Sequence, residues 1–334
     1  MDLATEYLGL RLRNPLVASA TPLAQTAAGV QRLAAGGVGA VVLPSLFEEQ
    51  VRHEAEQDAW LAEAGAESFA ESLSYLPATN GEAGPRRYLS LLERAVAATD
   101  IPVIASLNGV TPGGWTDYAI AMQEAGAAAI ELNVYYLPGG TLMEGRDLEQ
   151  RYVDILTTVK AAVTIPVAVK LAPYLSSVGQ FALRLDAAGA DGLVLFNRFM
   201  QTDIDPETLT VSTGLSLSSP AEAALPRSWI ARLRGRVKTS LAASTGVADS
   251  SDLAAYLLAG ADVVMTTSAL LRHGPGYAAV LLDGLTAWMR RKRFTGVGEV
   301  RGLLAEQADA GEEHYGRIGY LDAIREATRA YGAH

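Results

Sequence analysis

Short aliphatic runs, bounded by Gly, Pro or polar residues, alternate along this chain with longer segments of helical period. The runs span residues 14–20, 40–45, 101–108, 129–138, 165–173, 192–197, 237–244 and 262–268. Apolar runs of this length without polar alternation read as strands buried on both faces, as in a parallel sheet. Between them, helical patterns cover 27–35, 48–64, 86–99, 115–124, 147–163, 176–188, a stretch ending at 231–235, then 249–258 and 276–289. Three runs open on Asn14-Pro15, Ile101-Pro102 or Ile165-Pro166. Pro is tolerated at the first residue of a strand, where no ladder donor is needed. Several helices close on Ala-Gly-Ala or Gly-Gly-Val-Gly, and a strand begins a few residues later. Eight such units predict an α/β fold, a (β/α)8 TIM barrel. A doubly wound open sheet is the alternative, but no Gly-x-Gly-x-x-Gly follows the first strand.

Two stretches break the rhythm. Residues 65–85 read as loop, with Asn80-Gly81 as a turn. Residues 198–226 lack helical period and contain the β-prone Leu209-Thr210-Val211-Ser212, which predicts a hairpin excursion over the barrel mouth after strand six. The predicted organisation is one barrel domain over 1–295, followed by a helical tail over 296–334 packed on it.

Composition narrows the function. The net charge of −10 argues against a nucleic-acid footprint. The basic cluster Arg290-Arg291-Lys292-Arg293 reads as a solvated helix C-terminus. Cysteine is absent, so this chain offers no thiolate nucleophile, disulfide or Cys-ligated cluster, and an iron–sulfur relay would have to come from a partner. No basic leader and no apolar run of membrane-spanning length is present, so the expectation is a cytoplasmic protein acting on a small molecule without a membrane.

In a β/α barrel the strand C-termini converge on one face, where chemistry takes place. That face would collect Ser19, Ser45, Asn108, Asn133, Tyr136, Lys170, Asn197, Thr245, Gly246, Thr267 and Ser268. It holds one cation, amides and hydroxyls. His53, His273, His314 and His334 lie off the strand ends, so no catalytic metal is expected, and Glu131 has no second carboxylate beside it for glycosidase chemistry. Lys170 sits in an apolar strand, where a buried ammonium must be paired or face an anion. It either bridges to Glu131 on the neighbouring strand or faces an anionic cofactor. The ends of strands seven and eight, Thr245-Gly246-Val247 and Thr266-Thr267-Ser268, have the composition of a phosphate-holding loop pair.

Taken in order, Asn14-Pro-Leu-Val-Ala-Ser19, Glu131-Leu-Asn-Val134, Val169-Lys-Leu-Ala-Pro173, Asn197, Thr245-Gly-Val247 and Thr267-Ser-Ala-Leu270 resemble the motifs of dihydroorotate dehydrogenases, FMN-dependent barrels, and their dihydroorotate dehydrogenase-like branch most of all. The resemblance runs from about residue 3 to 288. It implies that Ala18 and Ser19 meet the flavin through the backbone, with Ser45, Asn108 and Asn133 also on the flavin. Lys170 would face the N1/O2 edge and stabilise the reduced flavin. Thr245, Gly246, Thr267 and Ser268 would hold the phosphate. Ser72, Asn133, Tyr135 and Asn197 would face substrate, and a homodimer is implied.

The chain departs from the family pattern where substrate chemistry is concentrated. Tyr136 stands at the catalytic Cys/Ser position, Gly139 at a substrate Asn, Pro44 at a second-strand Lys, Ser72 near another substrate Asn, and Leu215-Ser-Leu-Ser218 at a Gly pair. A thiol titrates near pKa 8.5 and a phenol near 10, so Tyr136 is a better proton donor than base at neutral pH. Its ring would also fill part of the orotate pocket. The expectation is an FMN-dependent oxidoreductase acting on CH–CH groups with a substrate other than dihydroorotate. The alternatives are a genuine dihydroorotate dehydrogenase of pyrimidine biosynthesis and a non-redox phosphate- or flavin-binding barrel.

Overall fold

A computed structural model describes residues 1–51, 84–109, 115–135, 144–198, 203–212, 216–306 and 319–332. The first two strands, β1 (Thr5–Tyr7) and β2 (Leu10–Leu12), form an antiparallel hairpin that the sequence pattern did not predict. The predicted runs then appear as β3 (Leu16–Ala18), β4 (Ala40–Val42), β6 (Val103–Asn108), β7 (Ala129–Asn133), β8 (Val167–Leu171) and β9 (Gly192–Leu195), with an unpredicted two-residue strand β5 (Leu46–Phe47) after β4. After the excursion strands β10 (Asp203–Asp205) and β11 (Thr210–Ser212) come β12 (Ser240–Ala243) and β13 (Val263–Thr266).

Strands β3, β4, β6, β7, β8, β9, β12 and β13 pair in parallel, and the β13–β3 pairing closes them into a barrel. Helices return the chain between them, as in Pro85–Ala97, Gly145–Ala162 and Ser250–Ala259. Gly37, Gly126, Gly189 and Gly260 all take positive φ where a helix gives way to the next strand. An L side chain is strained there, which accounts for the recurring Ala-Gly signature. The strand-eight run ends earlier than its composition implies. Val263–Thr266 is extended, whereas Ser268 already begins the helix Ser268–His273.

Two apolar clusters result. The larger lies between strands and helices. The smaller fills the barrel lumen with Val17, Val42, Ile104, Ala129, Ala168, Val194, Ala242, Val263 and Met265, and with Tyr7, Leu8 and Leu12 from the N-terminal hairpin. The hairpin therefore plugs the end of the barrel opposite the strand C-termini. Its fit is close, since a Cβ on Gly192 would sit 2.4 Å from Leu8 Cδ2. Asp262 locks this end. Its carboxylate accepts from Arg234 at 3.0 and 3.1 Å, from Arg301 at 2.9 Å and from the Leu241 N–H at 2.8 Å.

The excursion contains the predicted hairpin, β10 paired antiparallel with β11, with Ile204, Leu209 and Val211 exposed. The tail divides into two parts. Residues 296–306 lie on the barrel, with Val297 and Val300 buried and backbone bonds from Gly302 to Leu257, Leu304 to Leu258 and Glu306 to Ala231. The helix Gly319–Tyr331 has no buried residue. Among the described residues, no helix is long and apolar enough to cross a membrane.

Four phenols are sealed into this core. Burial raises Tyr7 far above its ordinary value, with the Glu131 and Asp262 charges adding to the effect. Burial likewise pushes Tyr88, Tyr152 and Tyr256 upward. A phenol held above its unfolded pKa of about 10 keeps its proton longer in the native state than in the unfolded chain. That stability is complete below about pH 10 and drains away above it, at about 1.4 kcal/mol per pH unit for each phenol. Denaturant midpoints measured from pH 8 to 11 are therefore expected to be flat up to about pH 10 and to fall steeply beyond. A midpoint still flat at pH 11 would contradict the burial of these hydroxyls.

Candidate active site

Side chains alternate across a strand, so residues two apart share a face. On β7 this puts Ala129, Glu131 and Asn133 in one inward column. On β6 it groups Ile104, Ser106 and Asn108, and on β8 Ala168 and Lys170. The lower member of each column lies in the apolar lumen cluster, and the upper members are polar. The strands thus carry their polar groups to the C-terminal end of the barrel.

Lys170 lies at the centre. Its ammonium donates to Glu131 Oε1 at 3.1 Å and to Ser19 Oγ at 3.3 Å. Both charged side chains are buried, at 7% and 1% exposure. Of the two partners weighed for this lysine, the carboxylate is therefore present. The ammonium has three N–H donors and here meets two acceptors. The second Glu131 oxygen, Oε2, is buried without a hydrogen-bond partner. The Tyr7 hydroxyl, also buried, lacks one too.

A row of neutral groups runs beside the ion pair. Asn197 Nδ2 donates to Asn133 Oδ1 at 2.6 Å, and Asn133 Nδ2 donates to Ser45 Oγ at 3.4 Å. Ser45 and Ser106 share a hydroxyl bond of 2.8 Å. Ser106 in turn donates its backbone N–H to the Tyr88 hydroxyl at 2.7 Å. Ala18 and Asn108 are buried at the ends of β3 and β6, and Tyr135 is half-buried just past β7. Tyr136 and Ser72 lie outside the described residues.

At the last strand ends the backbone turns sharply. Thr245 has φ +80° and Gly246 φ +75°. The unusual Thr245 conformation is held from two sides, its hydroxyl donating to Phe196 O at 3.1 Å and its carbonyl accepting from the Tyr256 hydroxyl at 2.6 Å. A Cβ on Gly246 would fall 2.6 Å from Ala223 N, so only glycine fits. Ser218 closes this corner. Its hydroxyl accepts from Gly246 N–H at 3.3 Å and donates to Ser268 Oγ at 2.9 Å, its N–H donates to the same oxygen at 3.0 Å, and its carbonyl accepts from Arg272 at 3.0 Å. Thr267 instead turns back, donating to the carbonyls of Ser19 and Ala20. Arg198 fixes the excursion's return limb, donating to Glu222 at 2.8 Å and to the Ser216 carbonyl.

Sequence reasoning passed over Ser106, Ser218, Arg198 and Arg272. The parity of Ile104, Ser106 and Asn108 was the available signal for the first. For Ser218 it was the Ser219-Pro220…Glu222 capping pattern, which stops the return limb beside it.

A closed parallel barrel thus carries a buried ion pair, an amide row and a hydroxyl-lined corner at the C-terminal end of its strands, the end where barrels of this class place their sites. The chain belongs to the dihydroorotate dehydrogenase family. The family profile described as "Dihydroorotate dehydrogenase" matches residues 2–289. The catalytic subunit of dihydroorotate dehydrogenase B (NAD(+)) from Methanothermobacter thermautotrophicus is 28% identical over 308 residues, covering 90% of this chain and 98% of the relative. The protein of that name from Methanocella arvoryzae is 30% identical over 300 residues, covering 88% and 95%. A putative dihydroorotate dehydrogenase A (fumarate) from Aeropyrum pernix is 29% identical over 226 residues, covering 66% and 72%. Members are oxidoreductases acting on CH–CH groups and use FMN. The donor set suits that cofactor, with an ammonium that has a donor to spare and, apart from it, serine hydroxyls, a glycine N–H and Arg272 around one corner.

The ion pair has a stability consequence. Removing one member of a buried pair leaves the other charge uncompensated, at a cost of about 3–5 kcal/mol, whereas replacing both by apolar groups is often neutral. Lys170→Met is expected to lower the unfolding free energy by about that amount, and Lys170→Met/Glu131→Leu to recover most of it. Chemical denaturation of the two variants checks this. A double variant no more stable than the single one would mean the pair does not act as a unit.

Proposed function

We propose that this protein is an FMN-dependent oxidoreductase whose substrate is not dihydroorotate. The observation that carries the substrate half is Tyr136 at the position where the family keeps its catalytic Cys or Ser, together with Gly139 in place of a substrate Asn. A phenol adds a ring to the pocket and holds its proton at neutral pH, so its part is to donate a proton or to shape the pocket.

In this reading, Lys170 faces the pyrimidine edge of the flavin and favours negative charge there. Ala18, Ser19, Ser45, Asn108 and Asn133 bind the ring system. Thr245, Gly246, Thr267 and Ser268 hold the phosphate, and the Ser218 hydroxyl joined to Gly246 and Ser268 supports that placement. Asn197 and Asn133, joined at 2.6 Å, orient a polar group of the substrate together with Tyr135 and Ser72. FMN, when bound, supplies hydride acceptance and donation. The chain positions substrate over it and keeps the lumen below dry, and Tyr136 donates a proton or shapes the pocket. The reading includes a cytoplasmic homodimer, which light scattering of the purified protein tests.

A second reading, true dihydroorotate oxidation, is favoured by the relatives, which are named as dihydroorotate dehydrogenases specific for NAD(+) or fumarate. One experiment separates the two. Protein purified without added flavin is expected to be yellow and to release FMN on denaturation. Its flavin absorbance is expected to persist when dihydroorotate is added anaerobically, and the gene should not rescue a pyrimidine auxotroph. Rapid bleaching by dihydroorotate, or rescue, would establish the second reading. Colourless protein that takes up no FMN would overturn both.

A further inference from the structure

The pairing of Lys170 has a further consequence, which rests on the assignment of that lysine to the flavin. The ammonium is not free to give its whole charge to a ligand at the barrel mouth, because Glu131 Oε1 holds it from below at 3.1 Å. Glu131 is itself poorly served. It is 1% exposed, its other oxygen has no hydrogen-bond partner, and its Cα register neighbours are Ser106 on β6 and Ala168 on β8. A carboxylate so placed has one strong attraction, the Lys170 ammonium, and little water to screen its charge.

We propose that Glu131 is a positioning residue that sets the reduction potential of the bound flavin by competing with it for the Lys170 ammonium. Reduction adds negative charge to the flavin ring. Lys170 favours that charge, and the Glu131 carboxylate behind it opposes it by drawing the ammonium down and by direct repulsion. The net effect of Glu131 is a lower potential than Lys170 alone would give. The phenols of Tyr7 and Tyr88 lie in the field of the same carboxylate. A phenol is neutral or anionic and never cationic, so neither substitutes for Lys170 as its counter-ion.

The test is the two-electron midpoint potential of the FMN-loaded protein, measured by equilibration with a redox dye. Glu131→Gln keeps shape and hydrogen bonding while removing the charge. It is expected to favour reduction about tenfold, a rise of about 30 mV for a two-electron couple. Glu131→Asp keeps the charge but withdraws it by one methylene, so a smaller rise in the same direction is expected. Should the Gln variant fail to fold, the Asp variant decides alone. Potentials unmoved or lowered in the folded variants would overturn the proposal. A purely structural role for Glu131 would cost stability without a directed shift in potential. Wild-type protein that binds no FMN would instead sink the functional reading beneath it, so the two failures are distinguishable.

Discussion

The Glu131–Lys170 ion pair is the constraint around which the upper barrel is arranged. Two opposite charges at 3.1 Å, nearly without solvent, are stable only if neither loses the other. That requirement fixes the register of β7 against β8, because a one-residue slip would turn one charge outward into the apolar layer beneath the helices. It also requires the space below to stay closed to water. The N-terminal hairpin meets that need by packing Tyr7, Leu8 and Leu12 against the lumen side chains. The far end of the barrel is thus closed and apolar and the near end polar, with the ion pair between them.

Much of the barrel was legible because its physics is local. Parallel strands buried on both faces are continuous aliphatic runs, and the turns between helix and strand need positive φ, which glycine supplies at 37, 126, 189 and 260. The hairpin plug was not legible. Strands of three residues are too short to establish a period, and Tyr7 gains its meaning only from the lumen it enters. The end of β13 was misjudged for a related reason. Thr266-Thr267-Ser268 is β-prone by composition, yet the chain must leave the barrel there, and Ser268 starts a helix instead.

The site was legible as a set of residues rather than as a set of bonds. Strand-end logic gathered Lys170, Ser19, Asn133, Ser45, Asn197 and Ser268 on one face, and the structure joins most of them in pairs. Composition left open whether Lys170 would meet Glu131, because a strand position reveals which side a residue faces and not how far its side chain reaches. Ser218 could not be read at all from strand ends, since it arrives on the return limb of an excursion.

That return limb links the two halves of the site. Arg198 leaves the end of β9 directly after Asn197, and its guanidinium holds Glu222 and Ser216 on the limb. The limb then presents Ser218 to Gly246 and Ser268. Adjacent residues of one short segment therefore face different tasks, Asn197 joining the amide row and Arg198 anchoring the hydroxyl corner. The Ser216 carbonyl and hydroxyl are what Arg198 grips. The corner is shaped by a charged contact whose strength depends on Glu222 staying ionised. Its carboxyl, held below the ordinary range by the Ser219 N–H and Arg198 against the opposing effect of burial, meets that condition throughout the neutral range.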